Sequence, residues 1–184
     1  MKKIACFLTL CTLMITLAPV ACADEAVGGW ALKFDVETLG GEAMSQADFE
    51  DNVLTVMNVW ATWCPPCVAE LPHLEAVSEY YADQGVAIVG VLHDGVGLDQ
   101  STGELRRNEG IIEDANALLE AAKADYVVVL PDLLLGNALF SQMQAFPTTF
   151  FFDASGEVID TVVGMHDEAG WKELIDGALE KLAQ

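Results

Sequence analysis

Residues 53–92 constrain the fold more tightly than any other part of the chain. Their first part, "VLTVMNVW", residues 53–60, is β-branched and apolar without clean alternation, the pattern of a central strand covered on both faces. "ATWCPPCVAE" follows, and beyond it Val68, Leu71, Leu74 and Val77 recur at helical spacing, with Glu70, Glu75 and Glu79 between them. "VAIVGVL", residues 86–92, is a second buried strand. Strand, helix and strand in this order make a right-handed parallel unit, so the chain must supply a sheet with helices packed on it.

The flanking sequence extends that sheet. In "WALKFDVETLGGEAM", residues 30–44, two short alternating runs flank Gly40 and Gly41, which suit a tight hairpin. Residues 45–51 form a short helix with Ser45 as N-cap and Asp48 three residues on. Residues 93–110, "HDGVGLDQSTGELRRNEG", read as a long polar loop, the sort of insertion that often contacts partners. A helix over 111–123, a strand over 126–130 and a helical stretch over 133–144 come next. "FPTTFFFD" and "GEVIDTVVG" read as a hairpin, 148–153 with 157–164, and an amphipathic helix over 167–182 closes the chain.

The first residues belong to a different category. Lys2 and Lys3, an apolar run over 4–18, Pro19, and the small-residue triplet Ala21, Cys22 and Ala23 make the three-part pattern of an export signal. The apolar run is too short for an ordinary membrane span. Cleavage after Ala23 is expected, leaving 24–184 as a single domain; a lipid-modified Cys22 is the alternative, although Pro19 stands where such sites usually carry Leu. The mature chain is therefore expected to work outside the cytoplasm, in the periplasm or cell envelope, where reducing power must be imported. The first 23 residues carry two of the eight basic residues and none of the 29 acids, which leaves a mature net charge of −23. Such a surface repels nucleic-acid phosphates and anionic lipid heads.

Cleavage also settles the cysteine arithmetic. Cys6, Cys11 and Cys22 depart with the signal, and only Cys64 and Cys67 remain. A structural zinc site wants four ligands, and His73, His93 and His166 are too scattered to supply the rest. A structural disulfide across so tiny a loop removes little unfolded-state entropy. Redox exchange accounts for the spacing: one thiolate attacks a substrate disulfide and a second thiol resolves the mixed disulfide. Cys64, at a helix N-terminus, is expected to be the exposed, low-pKa nucleophile, and Cys67 the resolving thiol. Pro65 and Pro66 suit the first helical turn, where their missing N–H groups have no helical partner.

"WATWCPPC", the later "FPTTFFFDASGEVI" and the preceding hairpin resemble the TlpA/ResA-like branch of the thioredoxin superfamily, the exported thiol-disulfide oxidoreductases, over nearly all of the mature chain. The resemblance implies an α/β thioredoxin fold: a central mixed β-sheet flanked by helices, with an N-terminal β-hairpin extension and an insertion after the second parallel strand. It implies a cis bond at Pro147 beside the cysteines, and a substrate-binding surface from Trp63, Pro65, Pro66, Phe146 and Thr148. Phe146 departs from the smaller residue common in relatives. Cytoplasmic thioredoxins carry a buried Asp where this chain has Asn58, which cannot titrate; relatives of this branch typically have a Glu at Glu70, on nearly the same helix face as Cys67. A buried Glu70 would have a raised pKa and take the Cys67 proton near neutral pH. The resemblance further implies a membrane electron donor of the CcdA or DsbD type, and apocytochrome c or other exported thiol proteins as partners; a monomer without cofactor or metal is expected.

Other residues are expected to play smaller parts: Trp60 in the core, Thr62 as a loop hydrogen-bonder, His73 on a helix surface, and His93 with Asp94 at the sheet edge that bears Cys64. Three rival functions share some of these features. A net oxidase or isomerase would use every motif; a peroxiredoxin-type peroxidase needs an arginine near the thiolate; a copper carrier would recruit His166.

Overall fold

A computed structural model describes residues 32–184. The export-signal expectation for 1–23 and the question of Cys22 lie outside the described residues. No helix among the described residues is long and apolar enough to cross a membrane.

The sheet is organised around the apolar run. Strand β3 follows the N-terminal hairpin β1 (Asp35–Thr38) and β2 (Ala43–Ser45); it spans Leu54–Trp60, and all seven of its residues are buried. It lies parallel to β4 (Val86–Leu92), paired from Leu54↔Val86 to Trp60↔Leu92, while β8 (Thr148–Asp153) runs antiparallel on its other side. With β5 (Val96–Leu98) and β6 (Leu105–Arg107) forming a separate ribbon, the main sheet also takes in β7 (Val127–Leu130) and β9 (Val158–Val163), in the order β2-β1-β7-β4-β3-β8-β9.

Strand parity sends alternate residues of β3 into opposite layers. Leu54, Val56 and Trp60 meet Leu71, Leu74 and Val77 of α1 (Pro65–Tyr81), Ile112 and Ala115 of α2 (Glu109–Ala122) and, after the short α3 (Leu133–Phe140), Trp171 and Ile175 of α4 (Glu168–Leu182). Met57 and Val59 face the other layer, with Leu135 and Leu139 of α3, Phe34, Phe49 and Phe150. Parity thus points Asn58 into the α1 layer. Side chains fix the helix starts: Asn108, Asp132 and Asp167 accept N–H bonds from Ile111, Leu135 and Gly170. Ser45 and Asp48 form the expected reciprocal cap, on a 3₁₀ turn (Gln46–Phe49).

Several expectations are corrected. Residues 93–110 are a structured insertion: a 3₁₀ turn (His93–Gly95) leads into the antiparallel β5–β6 ribbon, and α2 already begins at Glu109. The two-residue alternation of Val96, Leu98 and Leu105 was obscured by the polar turn between them, where Asp99 accepts Ser101 and Thr102 N–H groups and pairs with Arg106. Helix α3 ends at Phe140 instead of Gln144, because the chain must turn there to deliver Phe146–Pro147 to the edge of the sheet. Residues 32–34 are outside β1, although Leu32 and Phe34 are buried. Glu75, which the helical spacing places between the apolar positions of α1, accepts the N–H groups of Asp125 and Tyr126 at 2.6 and 2.9 Å and docks the start of β7 on α1.

Gly90 in β4 marks a close approach. A Cβ there would sit 3.0 Å from Val128 Cγ2, 3.1 Å from Trp60 Nε1 and 3.2 Å from the Tyr126 ring. Gly90→Ala is expected to destabilise the domain by about 1–3 kcal/mol through overpacking, measured by urea unfolding; an unchanged midpoint would show that these three side chains move aside freely.

Candidate active site

The site grows from the point where β3 ends and α1 begins. Residues 61–64 leave the sheet edge and Cys64 becomes the N-cap of α1, with extended backbone angles (φ −100°, ψ 99°). That conformation turns its sulfur back over the first turn, where the Cys67 N–H donates to Sγ at 3.3 Å. Pro65 and Pro66 occupy the first two helical positions and are exposed. Cys64 and Cys67 form a disulfide, S–S 2.05 Å and Cα–Cα 5.3 Å. Contrary to the expectation of an exposed nucleophile, Cys64 is only 3% exposed. Its sulfur is drawn in by the bond to the deeply buried Cys67 and by the N–H it accepts.

One turn beyond Cys67, Glu70 is fully buried. Its Oε1 accepts the His166 backbone N–H at 2.7 Å, and its Oε2 accepts from Asn58 Nδ2 at 3.1 Å. The second Asn58 amide hydrogen goes to Thr149 Oγ1 at 3.0 Å. Burial dominates the carboxyl's proton affinity and pushes its pKa up to about 7; the His166 and Asn58 donors oppose it, with a smaller opposing pull from the Trp171 indole, whose N–H makes no close hydrogen bond.

The Phe146–Pro147 bond is cis, and Pro147 is buried. The loop is closed by Thr148 Oγ1 donating to the Ala145 carbonyl at 2.7 Å and by the Gly164 N–H donating to the Pro147 carbonyl at 2.9 Å. Thr148, placed by sequence reading among substrate contacts, is therefore buried with its hydroxyl turned into the loop. Phe146 stands edge-on to Trp63 at 5.1 Å and to His93 at 5.0 Å, and His93 reaches Phe140 at 4.6 Å. Trp63 is 61% exposed, whereas Trp60 is a core residue. Burial lowers the His93 pKa, with Asp94 acting against it. His93, at the sheet edge as expected, is part of an aromatic line.

Some of the machinery escaped sequence reading. Thr149 and the His166 N–H reach the Asn58–Glu70 pair through tertiary register, which no local pattern encodes. Asp94 was placed at the correct edge, but its role was not: its carboxylate accepts the Thr62 N–H at 3.2 and 3.3 Å and the Thr62 hydroxyl at 2.6 Å, tying the cysteine loop to the turn after β4. His166 packs its ring edge-on to Trp171 at 5.4 Å. His73 is half-buried on α1. Both arginines, Arg106 and Arg107, sit on the β5–β6 ribbon in ion pairs with Asp99, Glu37 and Glu109, so neither belongs to the cysteine loop.

Because the folded pKa of Glu70 lies above its ordinary value of 4.5, the folded state keeps a proton that the unfolded state loses, and stability falls as pH rises from about 4.5 to about 7. In the oxidised protein this amounts to about 3 kcal/mol. Glu70→Gln is expected to lose that part of the pH dependence in urea unfolding at the two pH values; parallel curves for the two proteins would show that Glu70 is not buried with a raised pKa.

The comparisons with known proteins agree with this geometry. The model of the AhpC/TSA family matches residues 27–161. The thioredoxin-like protein YneN of Bacillus subtilis is 27% identical over 151 residues, covering 81% of this chain and 78% of that one. The thiol-disulfide oxidoreductase ResA of Oceanobacillus iheyensis is 29% identical over 142 residues, with 76% of this chain and 64% of that one covered. The crystal structure of a thiol:disulfide interchange protein of the thioredoxin family from Chlorobium tepidum superposes with a TM-score of 0.65 at 24% identity, over 84% of this chain and 99% of that one. The expected likeness to ResA-type thioredoxin-fold proteins is borne out, and the chain belongs to the AhpC/TSA family.

Proposed function

We propose that the protein is an extracytoplasmic thiol-disulfide oxidoreductase that acts as a protein-disulfide reductase. The observation that carries this reading is the Cys64–Cys67 disulfide at the N-terminus of α1, one turn from a buried carboxyl whose pKa is pushed up to about 7. In the reduced protein the Cys67 N–H and the positive end of the α1 dipole favour a Cys64 thiolate. That thiolate attacks a substrate disulfide, forming a mixed disulfide and expelling one substrate thiolate. Glu70 then takes the proton from the Cys67 thiol, and the Cys67 thiolate attacks Cys64 Sγ. The second substrate thiolate leaves, the enzyme disulfide closes, and two electrons have passed to the substrate.

With a pKa near 7, Glu70 is part ionised at neutral pH and so able both to accept a proton in this direction and to return it in the other. Reduction of the enzyme disulfide outside the cytoplasm calls for a membrane electron donor of the CcdA or DsbD type, and exported thiol proteins, apocytochrome c among them, are the acceptors. A peroxidase reading is disfavoured by the placement of both arginines on the ribbon.

Cys67→Ser expressed in the native cell is expected to trap mixed disulfides through Cys64, identified by mass spectrometry, and Cys64→Ser to abolish exchange. Exchange that survives Cys64→Ser removes the mechanism. Glu70→Gln is expected to slow resolution at pH 7 by about 10²-fold and to flatten its pH dependence, followed by stopped-flow tryptophan fluorescence; a pH profile like that of the unaltered protein would eliminate Glu70 as the base.

A further inference from the structure

A groove with a volume of about 560 Å³ is built from parts that the redox chemistry does not use. It lies between β1, the β5–β6 ribbon and the first turn of α3. Val36 and Leu130 are buried at its base, and Leu105, Leu133 and Leu134 line it. Leu133 and Leu134 are 51% and 61% exposed, and Leu98 on the ribbon is 58% exposed. Helix α3 meets the core through Leu135 and Leu139, so the two leucines of its first turn have no partner there. On a domain with 27 acids and 6 bases over residues 32–184, such an apolar strip is out of character.

The ribbon is fixed in place. The Asn108 N–H donates to the Gly95 carbonyl at 2.9 Å, closing the ribbon's base, and Gly95 lies so close to Leu130 that a Cβ would come within 2.5 Å of Leu130 Cδ2. Arg107 ties the ribbon to Glu37 of β1 at 3.3 Å. Asp94, immediately before Gly95, holds Thr62 of the cysteine loop. The groove and the disulfide therefore share a strut and open at the edge where the parallel strands β3, β4 and β7 end.

Charge selects the occupant. Asp35, Glu37, Glu104 and Asp132 line the groove against Arg107 alone, and that guanidinium is already engaged by Glu37 and Glu109. A second copy of the chain would bring carboxylates against carboxylates. An apolar segment flanked by lysines or arginines would cover the leucines and offset the rim. We propose that the groove docks such a segment of the protein whose cysteines exchange with Cys64 and Cys67; the identity of that partner as a redox substrate rests on the proposed function. Docking at a second point converts the encounter of the cysteines into an intramolecular event at raised effective concentration, which selects a partner without altering the disulfide site.

The test uses the full chain and three fluorescein-labelled peptides of equal length, rich in Leu and Lys, Leu and Glu, or Ser and Lys. Anisotropy is expected to show binding of the Leu–Lys peptide only, weakened about tenfold or more by Leu133→Glu with Leu134→Glu and also by Glu104→Lys, and retained in Leu133→Met with Leu134→Met. A Leu–Lys peptide carrying an intramolecular disulfide should be reduced about tenfold more slowly by the double Glu variant, with reduction of glutathione disulfide unchanged. Equal binding of the Ser–Lys peptide, or indifference to all the groove variants, overturns the proposal. So does a dimer in sedimentation that the double Glu variant breaks, since the occupant is then a second copy. Failure of the redox reading shows separately, as glutathione disulfide reduction that persists in Cys64→Ser, and leaves the binding result standing.

Discussion

A carboxyl group with no access to water must be given donors or stay neutral, and the arrangement around Glu70 is a solution to that constraint. The donors come from three directions. Strand parity delivers Asn58 from β3, the connection before α4 delivers the His166 N–H, and α4 itself adds the Trp171 indole as a weaker influence. One side chain of α1 thereby sets the mutual placement of the central strand, the redox helix and the C-terminal helix. Two good donors, one for each oxygen, hold the ionised form against burial, and the balance falls near neutrality. Fewer donors would leave a permanently neutral acid; a solvated group would be an ordinary carboxylate. Glu70 is therefore both a packing element and a proton site, and its two roles share the same hydrogen bonds.

A second set of contacts fixes the rim of the site. The cis bond at Pro147 sets Phe146 between Trp63 and His93, and His93 continues the line to Phe140. Trp63, Val163 and Met165 remain exposed apolar surface. Val163 ends the strand paired with Thr148, and Gly164 donates to the Pro147 carbonyl, so Val163 and Met165 flank the cis loop. Burial lowers the His93 pKa and so disfavours a positive charge on its ring. The cysteines are thus framed by apolar groups on a domain that is otherwise strongly acidic.

The parts legible in the sequence were those encoded locally. The uninterrupted apolar run of β3, the helical spacing after Cys67, the Ser45–Asp48 cap and the β8–β9 hairpin each depend on residues close in sequence. The ribbon was not legible, because strands as short as Val96–Leu98 and Leu105–Arg107 carry too few residues to show a period against a polar turn. Glu75 resembled any helix glutamate until β7 arrived beside it. Cys64 looked exposed because a helix N-terminus usually is; the disulfide and the N–H of Cys67 turn its sulfur inward instead. Asn58 was identified by what it lacks, a titratable proton, while the Thr149 hydroxyl that completes its bonding became visible only with the Asn58↔Thr149 register.

That register also explains why one acid suffices. Position 58 on β3 and position 70 on α1 deliver their side chains to the same buried space, with Asn58 Nδ2 and Glu70 Oε2 only 3.1 Å apart. An acid at either position places a carboxylate in the layer behind Cys67. Acids at both would have to share one proton, since two like charges at that distance cannot both ionise in a site without water, and the proton affinity of the pair would be split widely. An amide at position 58 avoids the conflict. It satisfies Glu70 Oε2 with one hydrogen, anchors itself to β8 through Thr149 with the other, and leaves a single group to titrate. Moving the acid from the strand to the helix also moves it onto the element that carries the two cysteines, so Glu70 keeps a fixed relation to Cys67 set by the pitch of α1 rather than by the packing of strand against helix.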